Sequence, residues 1–389
     1  MSNKSDVLVV GAGLAGLSAA IHLQEAGRTV TVIDSSDRAG GRVASDHIDG
    51  FICDRGFQLI NSKYPALVEL DVLDEIDFIQ APRVIEICLG TERIALGDPR
   101  TAPISALHRA TGTLSEKFNF ARFIFSKPKA SQSIGVALEK AGCGVTYGRV
   151  LRPFLQGVFL ADPDTVDAVY GHAVIRSFVS GAPGIPKFGV GQLSQAIASR
   201  VDDLHLNVRA ERIVGNTVQT SVGDFVASDV IVATDATTAA QLLDLPTVAR
   251  MVGCITWYHA SDNNPSGTGR LIIDGLNRGP VINSVVISDI SSAYAPIGMN
   301  LIASTTDLGT TESEVRRHLA AMWGAETRDW QLIAKYEIPS ALPLHLVGQA
   351  LTQPTKIADH LYVVGDHRSV PSQQGALFSG TLAAQLILN

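Results

Sequence analysis

The chain has 389 residues, 46% of them hydrophobic and 18% charged, a composition that excludes disorder and allows two packed regions. Its 38 acidic against 31 basic residues give a formal charge of -7, with no basic stripe, which argues against nucleic acid as a partner. Four widely spaced cysteines, Cys53, Cys88, Cys143 and Cys254, form no CxxC pair, which argues against zinc, iron-sulfur and a disulfide framework and points to a reducing, cytoplasmic setting.

Residues 1–23 have the outline of a signal peptide, with Lys4 ahead of an apolar run, but their glycine spacing explains them better. Asp6-Val-Leu-Val-Val10 is a short β-branched run suited to a strand buried on both faces, and it leads directly into Gly11-Ala-Gly13-Leu-Ala-Gly16. Helical spacing follows over 14–25, with Gly27 as its C-cap, and a second strand-like run, 29–33, ends in Asp34. Gly11 allows a tight turn, Gly13 lets backbone approach a pyrophosphate, and Gly16 lets helix and strand pack closely. The N–H groups of Leu14, Ala15 and Gly16 then face the phosphate. Asp34 lies 18 residues beyond Gly16, near the ~20 expected of the acid that receives an adenosine ribose.

Beyond it, Asp37-Arg38-Ala39-Gly40-Gly41-Arg42 adds a glycine pair and two arginines that NAD sites do not usually carry. This stretch resembles the R-x-G-G-R extension of the flavin amine oxidase, phytoene desaturase and protoporphyrinogen oxidase superfamily. The resemblance implies non-covalent FAD, with Arg42 along the pyrophosphate and Arg38 and Gly41 in the same loop; a guanidinium suits phosphate, and glycines let the loop come close. Gly50-Phe-Ile-Cys-Asp54-Arg55-Gly56-Phe57-Gln58 is similar to the family's next segment, in which a D-x-G turn borders the flavin ring, so Phe57, Gln58 and Leu59 are expected as ring neighbours. No cysteine lies near the C-terminal motif and Cys53 precedes the flavin-facing turn, which opposes a covalent flavin.

Pro186-Lys-Phe-Gly189-Val-Gly191-Gln192-Leu193 resembles the family's P-x-G-G-M-x-x-L element, departing at Val190 and Gln192; a helix to 201 and a strand over 204–208 should follow. A hairpin over 217–226 and a buried strand over 230–234 come next. By the resemblance, the backbone at Arg212 or Ile213 meets adenine, although arginine replaces the usual apolar residue. At the C-terminus, a buried strand over 361–364 runs into Gly365-Asp366, and Ser372-Gln-Gln-Gly375-Ala376 opens a helix. This is similar to the family's closing flavin motif. It implies that Asp366 receives ribityl hydroxyls, that the helix starting near Gln374 turns free N–H groups, Ala376 nearby, toward the flavin pyrimidine, and that Gly375 permits close approach.

The resemblance thus implies an α/β chain: a Rossmann-like, glutathione-reductase-type FAD-binding domain from 1–65, 185–240 and 345–389, with an inserted mixed-sheet α+β substrate domain from 66–184 and 241–344. Strand-like runs near 281–287 and 299–303 should roof the flavin. His172, His259, His345 and His367 are isolated, and no HxH, HExxH or paired-carboxylate set suggests a metal, so no catalytic residue or metal ligand is assigned. The implied activity is FAD-dependent oxidation or desaturation of a small organic, apolar substrate by hydride transfer to flavin N5. His367-Arg-Ser-Val-Pro around the C-terminal motif replaces the aromatic residues that cage an amine, which places amine oxidation second. A nicotinamide dehydrogenase and a non-catalytic flavin protein stand behind it. Peripheral membrane contact, at a mean hydropathy of +0.20, the electron acceptor and the oligomeric state stay open.

Overall fold

The computed structural model describes residues 4–97, 108–246 and 248–389. Five parallel strands form the centre of the first sheet, in the order Leu204–His205, Val30–Ile33, Lys4–Val10, Gly223–Val232, Leu361–Val363. Their side chains alternate between two buried faces. Val7, Val9, Val32 and Ile231 meet the helices Leu14–Glu25 and Gln373–Leu388, while Leu8, Val10, Ile33, Val230 and Val232 meet the hairpin and the helix Ala236–Leu243. Parallel strands need cover on both sides, and their unbroken apolar runs record it.

Two sequence expectations change here. The hairpin over 217–226 and the strand over 230–234 share one strand, Gly223–Val232, which pairs antiparallel with Thr217–Thr220 and then parallel with Leu361–Val363 along the same edge. The polar Asp229 within this strand is accommodated by its pairing with His360 Nδ1 at 3.0 Å. The strand expected over 204–208 shortens to Leu204–His205, because the N–H groups of Asn207 and Val208 donate instead to Ser36 O and Asp34 O.

A second, mixed sheet has seven strands in the order Gln331–Pro343, Met251–Ser261, Asn300–Thr306, Val281–Val286, Ile272–Asp274, Val84–Leu89, Glu92–Gly97. One face packs on the helix Glu312–Trp323 through Trp257, Ile302 and Trp323. The other packs on a separate two-stranded sheet, Ser45–Ile48 with Phe51–Asp54, where Tyr258, Leu301 and Ala303 meet Phe51, Ile52 and Cys53. Helices Ile134–Lys140, Arg152–Phe159 and Ala168–Ser180 close the far end around Tyr147, Leu155, Phe159 and Tyr170. Among the described residues no helix is long and apolar enough to cross a membrane.

Candidate functional site

The carboxyl ends of the parallel strands converge, and the glycine loop after Lys4–Val10 lies at their centre. Gly11 has φ +111° and sits so close to the neighbouring strand end that a Cβ would lie 2.7 Å from Ala233 O; at Gly16 a Cβ would lie 2.0 Å from Gly11 O. Gly13 differs. It is the N-cap of Leu14–Glu25 with no side-chain cap, and a Cβ there would meet nothing within 4 Å. The first turn, with Leu14 and Ala15 buried in it, therefore directs N–H groups and the positive dipole end into open space.

The Arg38–Arg42 loop folds back over this turn. Gly40 N–H donates to Ala12 O at 2.8 Å, and a Cβ at Gly41 would lie 3.5 Å from Gly13 Cα. Asp34, half-buried, accepts from Ala12 N–H at 2.7 Å and Ser36 N–H at 2.8 Å, which fixes its carboxylate at the end of the second strand. Arg38 does not reach outward: its Nη1 closes its own loop onto Gly41 O at 3.3 Å, and burial lowers its pKa.

Arg42 and Asp366, assigned separate cofactor contacts by the sequence, are bound to each other. Arg42 Nη2 lies 2.6 Å from Asp366 Oδ1 and its Nη1 donates to Ala341 O at 2.7 Å. Burial works against this guanidinium's charge, but Asp366 holds its pKa above the ordinary value. Gln58 extends the network, donating to Arg42 O at 2.9 Å and accepting from Gln373 Nε2 at 3.1 Å.

At the C-terminal motif the physical reasons differ from those read in the sequence. Ser372 caps the helix, accepting from Gly375 N–H at 3.0 Å, so that N–H is not free for a flavin. Gly375 is glycine because a Cβ would lie 1.8 Å from Val370 O. Gln374 faces away, its Oε1 accepting from Ala66 N–H at 3.1 Å, and Ala376 N–H continues the helix onto Ser372 O. Gly365, at φ +145°, donates its N–H to Ser379 Oγ at 2.9 Å and lies under the His367 ring. Burial pushes His367 down to about 4, so the imidazole is neutral at neutral pH.

Phe57 and Leu59 are half-buried beside Tyr258, Tyr294 and Tyr336, and a Cβ at Gly56 would lie 3.2 Å from Ile338 Cδ1 on the second sheet. Sequence reading missed the role of Asp54, although a lone acid ending an apolar strand was the signal. Its buried carboxylate accepts from Ser45 Oγ (2.6 Å), Val190 N–H (3.0 Å) and Tyr294 OH (2.9 Å), and its carbonyl from Tyr258 OH (3.0 Å). Burial outweighs these donors and raises its pKa to about 6. One residue thus ties the Gly56 turn to the segment after Pro186 through its side chain and to the second sheet through its carbonyl. Arg212 and Ile213 lie on the edge strand Ala210–Val214; Arg212 is exposed, while Ile213 packs on the face that holds Val218 and Phe225.

These residues fit a dinucleotide flavin at both ends. At one end are an uncapped helix N-terminus facing open space and a fixed half-buried carboxylate. At the other, the buried His367 Nε2 and Gln373 Oε1 have no protein partner, a cost that a polar ligand relieves. Burial pushes the thiols of Cys53, Cys143 and Cys254 up to about 12, 11 and 11, so they are neutral rather than nucleophilic. The arrangement can bind, orient and shield.

The sequence profile of flavin containing amine oxidoreductases matches residues 14–76 and 106–388. Putrescine oxidase of Kocuria rosea is 49% identical over 65 residues, 17% of this chain and 14% of that protein. Phytoene dehydrogenase of Streptomyces griseus is 51% identical over 63 residues, 16% of this chain and 12% of that protein. These matches therefore span about a seventh or less of either relative. The structure of an oxidoreductase from Methanosarcina mazei superimposes with a TM-score of 0.80 over 98% of this chain and 100% of that one, at 15% identity, which shows a shared fold.

Proposed function

The chain belongs to the flavin containing amine oxidoreductase family, and on that footing we propose that it holds FAD non-covalently and oxidises or desaturates a small, largely apolar organic substrate. The cofactor-binding part is formed by residues 1–65, 185–240 and 345–389, and the substrate part by 66–184 and 241–344. One observation carries the reading: Arg42, Gln58, Ala341, Asp366 and Gln373, from distant parts of the sequence, are joined in one network beside the open helix start at Gly13.

Bound FAD supplies the hydride acceptor at N5. The helix start at Leu14 to Gly16 faces the pyrophosphate, Asp34 receives the adenosine ribose, and the backbone at Ile213 borders adenine. Arg42 and Asp366, each neutralising the other, offer their remaining donors and acceptors to the phosphate and the ribityl chain. Gln373 Oε1 and His367 Nε2 supply neutral polar atoms at the ring end. Phe57, Leu59, Tyr336 and Ile338 exclude water between the turn and the second sheet, so a substrate meets hydrocarbon walls there.

Amine oxidation is the second reading, favoured by the T-shaped pair Tyr258 and Tyr336, 6.2 Å apart. The cationic Arg368 beside the C-terminal motif opposes an ammonium group there. Anaerobic mixing of the holoprotein with a polyene hydrocarbon and with a primary amine separates the two. Bleaching of the flavin by the polyene supports the proposal, and bleaching by the amine alone overturns its substrate side.

A further inference from the structure

On the second sheet, Tyr336, Thr256, Thr305 and Asn283 stand opposite one another across four adjacent strands, forming one rung. The rung lies on the face that carries Tyr258 and turns toward Phe57 and Leu59. It starts next to Ile338, whose Cδ1 approaches Gly56, and ends where Asn283 reaches the helix Arg152–Phe159 at Gly157; a Cβ at Gly157 would lie 2.8 Å from Asn283 Nδ2. Thr256, Thr305 and Asn283 are 0%, 4% and 6% exposed.

On the opposite face of the same strands the hydroxyls and indole N–H groups are hydrogen-bonded, while the buried ring nitrogens of His259 are not. Ser284 Oγ meets Ser304 Oγ at 2.9 Å, Trp257 Nε1 donates to Thr306 Oγ1 at 3.0 Å, and Trp323 Nε1 donates to Ser284 Oγ at 3.2 Å. On the rung, Tyr336 OH is committed to Asp46 at 2.8 Å. Among the described residues Thr256 Oγ1 is fully enclosed with no nitrogen or oxygen partner, only the Cys254 thiol lying against it, and the side chains of Thr305 and Asn283 make no hydrogen bond. Leaving a buried polar group such as Thr256 Oγ1 unpaired costs free energy, and Thr305 and Asn283 beside it have side-chain hydrogen-bonding capacity that the described residues leave unused. A register shift between Val281 and Asn283 places Asn283 opposite Thr305; without it, alternation from Val281 would turn the amide to the other face. Such bulges re-aim single side chains near functional sites.

We propose that Thr256, Thr305 and Asn283 form a polar subsite that receives an uncharged hydrogen-bonding group of the substrate, a carbonyl, hydroxyl or amide. The proposal rests on the flavoenzyme reading above and refines it: the substrate is apolar where it faces Phe57 and Leu59 and polar, without charge, where it reaches the rung. The rung side chains both donate and accept but carry no charge, and burial keeps the adjacent Cys254 thiol neutral. Enclosure this complete disfavours an ion.

The test titrates the FAD holoprotein with decanamide, decane and decylammonium, reading the change in visible flavin absorption. Wild type should bind decanamide at least roughly tenfold tighter than decane. Asn283→Leu and Thr305→Val should bring that ratio close to one while keeping full flavin content and a melting temperature at or above wild type. A ratio unchanged in both variants overturns the proposal, as does tightest binding of decylammonium, or a flavin spectrum that no probe alters. A wild-type protein that lacks FAD and takes none up removes the flavoenzyme reading and this one with it, an outcome recognised by the missing spectrum rather than by any ratio.

Discussion

Gly13 and Gly16 are three positions apart, yet a side chain has opposite consequences at each. A Cβ at Gly16 collides with Gly11 O, whereas one at Gly13 enters the space where the pyrophosphate is proposed to lie. Gly16→Val should therefore fail to fold, and Gly13→Val should melt near wild type but purify without flavin; melting curves with flavin-to-protein ratios check both. The ion pair of Arg42 with the buried Asp366 separates structure from binding in another way. Arg42→Met strands a buried carboxylate, at a cost of about 3 kcal/mol, and loses flavin. Adding Asp366→Leu should restore most of the stability and none of the flavin, as urea unfolding and absorbance would show. Flavin returning with stability would make the pair purely structural. Because His367 offers only one neutral contact beside the Arg42–Asp366 network, His367→Ala should weaken but keep its flavin.

Single capping and clamping contacts position whole elements. Ser372→Ala removes the cap of the C-terminal helix, and the expected loss is about 1 kcal/mol in urea unfolding. Asp54 clamps the Gly56 turn, and its burial gives the protein a pH signature. Its carboxyl rises to about 6, above the ~3.9 of an unfolded chain, so the folded state holds the proton more tightly. The resulting stability is fully present below the unfolded value and is lost as pH rises to about 6. Melting temperature should fall across that window, and Asp54→Asn should flatten the fall; an unchanged slope would remove Asp54 as its source. The elements around these contacts were legible in the sequence where one force acted alone. Strands buried on both faces read as continuous apolar runs, and the loop glycines followed their turns. The contacts themselves were not legible: nothing in the spacing says that Arg42 meets Asp366, or that Gly375 lies tight against Val370 O.

At the scale of the whole molecule, the two sheets differ in how openly the sequence describes them. The strands of the parallel sheet follow from local apolar runs that end in glycine turns, as at Gly11 and Gly365, although its pairings of Lys4–Val10 with Gly223–Val232 and of Val30–Ile33 with Leu204–His205 are long-range too. The mixed sheet pairs Val84–Leu89 with Ile272–Asp274, a long-range register that only tertiary packing sets, and its unpaired rung is visible only once four strands are aligned. The strand ends, the Gly13 helix start and the Arg42–Asp366 network are proposed to be built around one FAD. The visible absorption spectrum of the purified protein, followed by identification of what denaturation releases, tests that most directly. The expected result is the two-band spectrum of oxidised flavin with about one FAD released per chain. A colourless protein that takes up no added FAD would contradict the account and return the glycine loop and Asp34 to a nicotinamide dinucleotide.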